Sequence, residues 1–307
     1  MDLLELKEVS KRFGRTVILD HLTLSVVEGE ILGIVGMNGS GKTTLLKLMV
    51  GYYPPTEGTL LYRGQPLKKM KRLLRQEVGF TAQESSFYPQ LTVEENVHYF
   101  GSLYGLNTHE ITDHAEHVLA LLELLPSRHY LSEHLSGGMQ RRLEMACSLM
   151  HNPSLLILDE PTEDLDPLLR RDILRFIRRI NDLGTTVVIT SHLLGDVEEL
   201  CTRIAILHNN HIVKVGTVQE LRKVFPQQEE IHLQTATGKY DVLLNDLQVK
   251  EFHLDGNRLV IYTANAPMMV HDILHVLENL QDKLVYLDIK RPSLQEIFEG
   301  ETHRSWL

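Results

Sequence analysis

The eight residues Gly36-Met37-Asn38-Gly39-Ser40-Gly41-Lys42-Thr43 limit this chain to few architectures. They match G-x-x-x-x-G-K-[ST] in full, between an apolar β-type run, Ile31 to Val35, and an apolar-periodic helical stretch. The glycines let the backbone fold tightly and aim its amides at phosphate oxygens. Lys42 adds positive charge, and the Thr43 hydroxyl can bind Mg²⁺. A loop of this kind sits where a strand feeds a helix, so the surrounding chain is expected to alternate the two.

The first 225 residues read that way. LLELKEVSKRF and EILGIVG are β-type; PSLLILDEP holds four consecutive apolar residues, Leu155 to Leu158, which suits a central parallel strand covered on both faces. A helix from about Leu168 to Leu183 ends at Gly184, TTVVITSH is another buried strand, and IAILHNNHIVKVG reads as a hairpin turning at Asn209 and Asn210. Between about residues 87 and 150 the pattern is helical. TVEENVHYFGSLYG has Thr92 as N-cap with Glu95 three residues on, and ITDHAEHVLALLELL spaces Val118, Leu121, Leu122 and Leu125 helically. The expected fold is α/β: a three-layer P-loop NTPase core around a mostly parallel sheet, with a helical subdomain inserted.

After Pro226 to Glu230 the pattern restarts. Four strand-like runs and the helix APMMVHDILHVLENL give an approximate β-α-β-β-α-β order, so residues 231–307 are expected to form a small α+β domain of ferredoxin-like type.

Composition removes several functions. A net charge of −10 argues against a protein that binds nucleic acid by broad phosphate neutralisation. No apolar run reaches the roughly 18 to 20 residues of a membrane span, and the N-terminal residues lack a secretory pattern, so a cytosolic location is expected. Cys147 and Cys201 lie far apart in apolar helical patterns and read as reduced core thiols. His114 with His117, and His271 with His275, have spacings that can seat a metal, but no cysteine or carboxylate set accompanies them and they read as solvated helix faces. RRDILRFIRR is a basic amphipathic helix expected to pack on the core.

Two further elements carry chemistry. Asp159 and Glu160 follow LLIL directly; at a strand end, Asp159 would hold Mg²⁺ through a water and Glu160 would act as general base on the attacking water. HLSGGMQRRLEMA puts Ser136, Gly137 and Gly138 before an amphipathic helix, a second anion-binding turn.

Phosphate loop, LSGGM, LLILDEP and the histidine of ITSH, in that order, resemble the ATP-binding cassette family over roughly residues 2 to 220. The resemblance implies that Gly36, Asn38, Gly39, Ser40, Gly41, Lys42, Thr43 and Thr44 hold the phosphates of ATP, and that Phe13 stacks on adenine. It implies that Gln83 senses the metal and the attacking water, and that His192 contacts the γ-phosphate. It also implies head-to-tail dimers, in which Ser136, Gly137 and Gly138 of one subunit close on the nucleotide of a second, identical or different, ATPase subunit. Asp166 matches an aspartate at that seam. Where the family commonly has small neutral residues, this chain has Glu163 and Asp164, which are expected to weaken the ATP-bound homodimer, to pair with basic groups on a non-identical partner, or to be ordinary solvated surface residues.

The function implied is the ATPase subunit of a transporter, peripheral on the inner membrane face through a separately encoded transmembrane permease. Ser85 to Phe100 lies where such a permease docks, with Phe87 and Tyr88 as docking aromatics or as subdomain core. RPSLQEIFEG, Arg291 to Gly300, resembles the ending of cassettes of drug and antibiotic exporters whose small last domain is regulatory. The alternative is a soluble cassette ATPase driving a cytosolic machine in translation or DNA maintenance.

Overall fold

The computed structural model describes residues 1–83, 86–224, 229–249 and 251–290 of the 307-residue chain. Ser85, the segment 226–228 of the interdomain stretch, and Arg291 to Gly300 lie outside the described residues. The chain divides into two compact units, Met1–Val218 and Gln219–Leu307.

The first unit begins with β1 (Asp2–Phe13), β2 (Thr16–Val27), β3 (Ile31–Val35) and α1 (Lys42–Met49). It continues through β4 (Glu57–Tyr62), β5 (Gln65–Pro66), α2 (Lys71–Glu77) and β6 (Val78–Thr81) to the helices α3 (Val93–Leu103), α4 (Thr108–Leu121) and α5 (Gly137–Leu149). Next come β7 (Leu155–Leu158), α6 (Pro167–Asp182), β8 (Thr186–Ser191), α7 (Leu194–Leu200) and the hairpin β9 (Arg203–His208) and β10 (His211–Gly216). The six-stranded sheet has the order β10-β9-β3-β8-β7-β6, parallel except for β10 at its edge. Every residue of β3, β7 and β8 is buried, as the continuous apolar runs require when helices cover both faces. Asn209 and Asn210 turn the hairpin with positive φ, 46° and 68°, the conformation a two-residue hairpin turn demands.

The mostly parallel sheet is present, but the first strands do not belong to it. β1 and β2 do not join it; with β4 and β5 they form a separate antiparallel sheet, order β2-β1-β4-β5. The two sheets share one core, which takes in Leu6 and Leu24 of the antiparallel sheet, Leu45 and Met49 of α1, and Ile157 and Val188 of the parallel sheet. Each such side chain contributes about 1.5–3 kcal/mol by leaving water, so α1 is fixed by both sheets at once.

In the helical subdomain, Thr92 and Glu95 form the expected capping box: the Glu95 N–H donates to Thr92 Oγ1 (3.2 Å) and the Thr92 N–H to Glu95 Oε2 (2.8 Å). These bonds hold the Glu95 carboxyl below the usual carboxylate range. The next helix starts earlier than its sequence periodicity suggested, because Asn107 and Glu110 form a second capping box. Its buried stripe is Ile111, Ala115, Leu119 and Leu122, whereas Val118, Leu121 and Leu125 are half-buried. The stripe is thus set one position away from the Val118 frame. Phe87 is buried core, and Tyr88 is 45% exposed. Cys147 and Cys201 are buried, and burial pushes both thiols up, so neither is a reactive thiolate. The apolar face of α6, Ile173, Phe176, Ile177 and Ile180, is buried.

The second unit opens with α8 (Val218–Val224 as the helix is bounded). It then has β11 (Glu229–Thr235), α9 (Asp241–Asp246), β12 (Phe252–Asp255), β13 (Arg258–Thr263), α10 (Ala266–Leu280) and β14 (Leu284–Lys290). The sheet order β12-β13-β11-β14, antiparallel at every pairing, is a split β-α-β arrangement of the ferredoxin-like kind. Its own core gathers Ile231, Leu233, Leu259, Ile261, Ile273 and Leu277.

Candidate functional site

The parallel sheet delivers its chemistry at one edge. Gly36 follows β3, Gln83 follows β6, Asp159 and Glu160 follow β7, and His192 follows β8, all at carboxyl ends of adjacent parallel strands. Ligands of open α/β sheets bind at this edge.

The phosphate loop needs glycine at identifiable points. Gly41 has φ +103°, and a Cβ there would lie 2.8 Å from Leu19 Cδ2 and 3.1 Å from the Ile18 carbonyl of β2. At Gly36 a Cβ would meet the Leu207 carbonyl at 2.5 Å. Asn38 and Gly39 lie exposed in the turn, while Thr43 and Thr44 sit half-buried in the first turn of α1. The Lys42 ammonium is held beneath the loop, donating to the carbonyls of Gly36 (2.8 Å) and Met37 (3.3 Å) and pairing with Glu160 Oε1 at 3.1 Å.

Glu160 joins the elements together. Its Oε2 accepts the His192 backbone N–H (3.2 Å) and lies 3.0 Å from His192 Nδ1. An ionised carboxylate only accepts, so that ring nitrogen carries the proton. The residue has φ +49°, a left-handed conformation costly for a non-glycine residue. Two bonds define the turn at this point: the Glu160 N–H donates to Thr190 Oγ1 (2.9 Å), and the Glu163 N–H donates to the Glu160 carbonyl (3.1 Å). Thr190 in turn donates to Asp159 Oδ1 at 2.6 Å. Thr190 was not singled out from the sequence. Its signal was available, since a polar residue ends the apolar run TTVVI, and parallel pairing of Leu158 with Ile189 sets it beside Asp159.

Two oxygens at the site stand out. Asp159 Oδ2 and Ser40 Oγ are buried and make no hydrogen bond among the described residues. A buried carboxylate oxygen left this way is costly unless a cation meets it, and hard oxygen donors suit Mg²⁺. Gln83, just after β6, donates from Nε2 to Glu163 Oε2 at 2.7 Å and makes no hydrogen bond or ion pair with Asp159, Glu160 or His192 among the described residues. Asp164, with φ +58°, completes the turn, and Asp166 caps α6 by accepting from the Leu168 and Leu169 N–H groups (2.9 and 3.1 Å).

Phe13 is 44% exposed, set edge-on to Tyr53 (centroids 5.2 Å), which is itself edge-on to Tyr52 (4.8 Å). Ser136 caps α5, accepting from the Met139 N–H at 3.4 Å. Beside Gly137 there is open space, whereas a Cβ on Gly138 would lie 2.9 Å from Leu169 of α6. Among the described residues no hydrogen bond or ion pair links Ser136, Gly137 or Gly138 to Lys42, Asp159, Glu160 or His192. The histidine pair of α4 is separately engaged, His114 with the Met150 carbonyl and His117 with the Asp113 carbonyl, both at 2.7 Å.

Comparison with known proteins agrees with this geometry. Residues 19–163 match the family model described as ABC transporter. The chain is 32% identical over 312 residues to the linearmycin resistance ATP-binding protein LnrL of Bacillus subtilis, covering 99% of both chains. It is 30% identical to the Nod factor export ATP-binding protein I of a Rhizobium species (98% and 97% covered). With the probable multidrug ABC transporter ATP-binding protein YbhF of Escherichia coli it shares 37% over 220 residues, 72% of this chain and 38% of that protein. Among solved structures it resembles an ATP-binding subunit of an ABC transporter (TM-score 0.65, 28% identity, 73% and 93% covered). It also resembles the dimeric cassette MJ0796 bound to ADP and phosphate (0.63, 27%, 70% and 98%). The chain belongs to the ABC transporter family, as one of its ATP-binding, ATP-hydrolysing subunits.

Proposed function

We propose that this chain powers an export-type transporter by closing with a second cassette around ATP. The observation that carries the reading is Glu160 seated between Lys42 and His192 at the carboxyl edge of the sheet. Gly36, Asn38, Gly39, Ser40, Gly41, Lys42, Thr43 and Thr44 receive the phosphates, with Lys42 exchanging carbonyl and Glu160 partners for phosphate oxygens, and Phe13 receives the adenine. Thr43, Asp159 and Gln83 are the residues to hold Mg²⁺, which supplies neutralisation of phosphate charge. Glu160 takes the proton of the attacking water as its oxygen bonds to the γ-phosphorus and the bond to the β-phosphate oxygen breaks, releasing ADP and phosphate. His192 holds the Glu160 carboxylate in position through two contacts.

Ser136, Gly137 and Gly138 serve the nucleotide of the second subunit, with Asp166 at the seam. Relatives named for resistance and export support the export direction. No helix among the described residues is long and apolar enough to cross a membrane, so a separate permease would hold the chain at the inner face. Residues 231–307 would act as an accessory, regulatory domain. The test is to tag Glu160→Gln, which should trap ATP, and identify what co-purifies from detergent-solubilised native membranes. A stoichiometric polytopic membrane protein is expected. Recovery of ribosomes or DNA complexes alone would replace the transporter with a cytosolic machine.

A further inference from the structure

Glu160 and Glu163 stand on one short turn, which is tied down on several sides. The Glu163 N–H donates to the Glu160 carbonyl at 3.1 Å, and the Glu160 N–H donates to Thr190 Oγ1 of β8 at 2.9 Å. Between them the buried Thr162 hydroxyl donates to Asp196 Oδ2 of α7 at 2.7 Å. Arg170 of α6 lies 3.8 Å from that same carboxylate oxygen and donates to the Leu165 carbonyl at 3.4 Å. The Glu163 side chain therefore starts from a backbone anchored to three neighbouring elements.

From this mount it reaches Gln83. β6 and β7 run parallel with Thr81 beside Leu158, and the Asp159 N–H donates to the Thr81 carbonyl at 3.0 Å, so Gln83 and Asp159 leave neighbouring strand ends. There Glu163 Oε2 accepts the hydrogen bond from Gln83 Nε2 at 2.7 Å. Among the described residues neither side chain has another hydrogen-bond or ion-pair partner.

The two ends of a glutamine amide have opposite uses. Its NH₂ group only donates, whereas its carbonyl oxygen accepts and can ligate a hard cation. An ionised carboxylate only accepts, so Glu163 keeps the nitrogen and leaves Gln83 Oε1 without a partner. A hydroxyl or a neutral amide at position 163 could instead donate to that oxygen and occupy it.

We propose that Glu163 is a positioning residue for Gln83: its carboxylate holds the amide so that Oε1 stays uncommitted and open to Mg²⁺, from the same turn that carries Glu160. The inference rests on the reading of Gln83 as a holder of Mg²⁺ and adds the residue that orients it. With one end of the amide already held, less side-chain freedom remains to be lost when the cation arrives.

The test measures the affinity of a fluorescent, non-hydrolysable ATP analogue for the full chain in excess Mg²⁺ and in EDTA. The ratio of the two is the metal's contribution to binding, and it is read without turnover. Gln83→Ala should lower the ratio by about ten-fold and Glu163→Gln by about three- to ten-fold, the scale of one hydrogen bond lost. In the Gln83→Ala background Glu163→Gln should lower it no further, because a residue that acts through another then has nothing to position. Glu163→Ser should reproduce Glu163→Gln, so the result does not depend on one variant folding. A purely structural role for Glu163 would weaken binding in Mg²⁺ and EDTA alike and leave the ratio at the parent value, which overturns the proposal. An equal loss from Glu163→Gln with and without Gln83 also overturns it, because the carboxylate would then act on the metal by charge alone. If Gln83→Ala leaves the ratio intact, Gln83 does not hold the metal and both readings fall. If Gln83→Ala lowers the ratio and Glu163→Gln does not, the metal reading stands and only this one falls.

Discussion

Gly36 to Thr43 and Leu135 to Met139 are both glycine-rich turns that open a helix, yet glycine does different work in each. In the first, Gly39 and Gly41 take left-handed backbone angles, and Gly41 is pressed against β2. In the second, neither Gly137 nor Gly138 has positive φ; one borders open space and the other makes room for Leu169. The first turn is surrounded by its own cation, carboxylates and orphaned oxygens, whereas the second has a capping serine and none of that machinery. The contrast is what the proposed arrangement requires, in which the second turn is half of a site whose other half belongs to another molecule.

The largest effect that would break this comparison is at Glu160. Glu160→Gln should lower ATP turnover by about 10²–10⁴-fold while nucleotide still binds, as measured by phosphate release and a fluorescent ATP analogue. A rate within a few-fold of the parent would mean that the first turn is not the complete half. Next, Gly41→Ala should cost about 1–3 kcal/mol of nucleotide affinity or stability through backbone strain. Gly137→Ala should leave the affinity of the isolated chain within two-fold and act only on ATP-driven dimerisation. Equal losses in binding for the two variants would erase the distinction.

Acid should also separate the two regions. His151, just beyond the α5 helix that the second turn opens, stacks on Tyr104 (centroids 3.7 Å), and burial lowers its pKa to about 4. An unfolded histidine titrates near 6.5, so between these values the unfolded chain binds more protons than the folded one. Its contribution, on the order of 2 kcal/mol once partial exposure is allowed for, is full above pH 6.5 and is lost as the pH falls towards 4. Hydrogen exchange at pH 5 should therefore show α5 opening before α1, and His151→Phe should reduce the difference. The smallest effect concerns the seam. Glu163→Ser with Asp164→Gly, in the Glu160→Gln background, should strengthen the ATP-bound dimer a few-fold by sedimentation, and unchanged affinity would dismiss their charge as a determinant.

What could be read beforehand was local. The phosphate loop, the LLIL strand into Asp159 and Glu160, the Thr92 cap and the Asn209–Asn210 turn are all determined by residues within a few positions of one another. The antiparallel sheet was not legible, because β1 pairs with β4 across some fifty residues and its alternation says nothing about which sheet it joins. Phe87 was ambiguous for a similar reason: an aromatic in a polar loop buries itself only when the helices behind it are in place. The Glu163–Gln83 bond joins residues 80 positions apart, and Thr190 acts across two strands, so neither partner is implied by its own neighbours.

The three rings Phe13, Tyr53 and Tyr52 run edge-on from the proposed adenine position to the rim of a hollow between the end of α1, α2 and α3. Contact of this kind passes displacement through touching atoms and involves no bond breaking. If adenine stacks on Phe13 as proposed, loading of the base would press first on Tyr53 and Tyr52, so their packing would respond to nucleotide binding before any phosphate is cleaved.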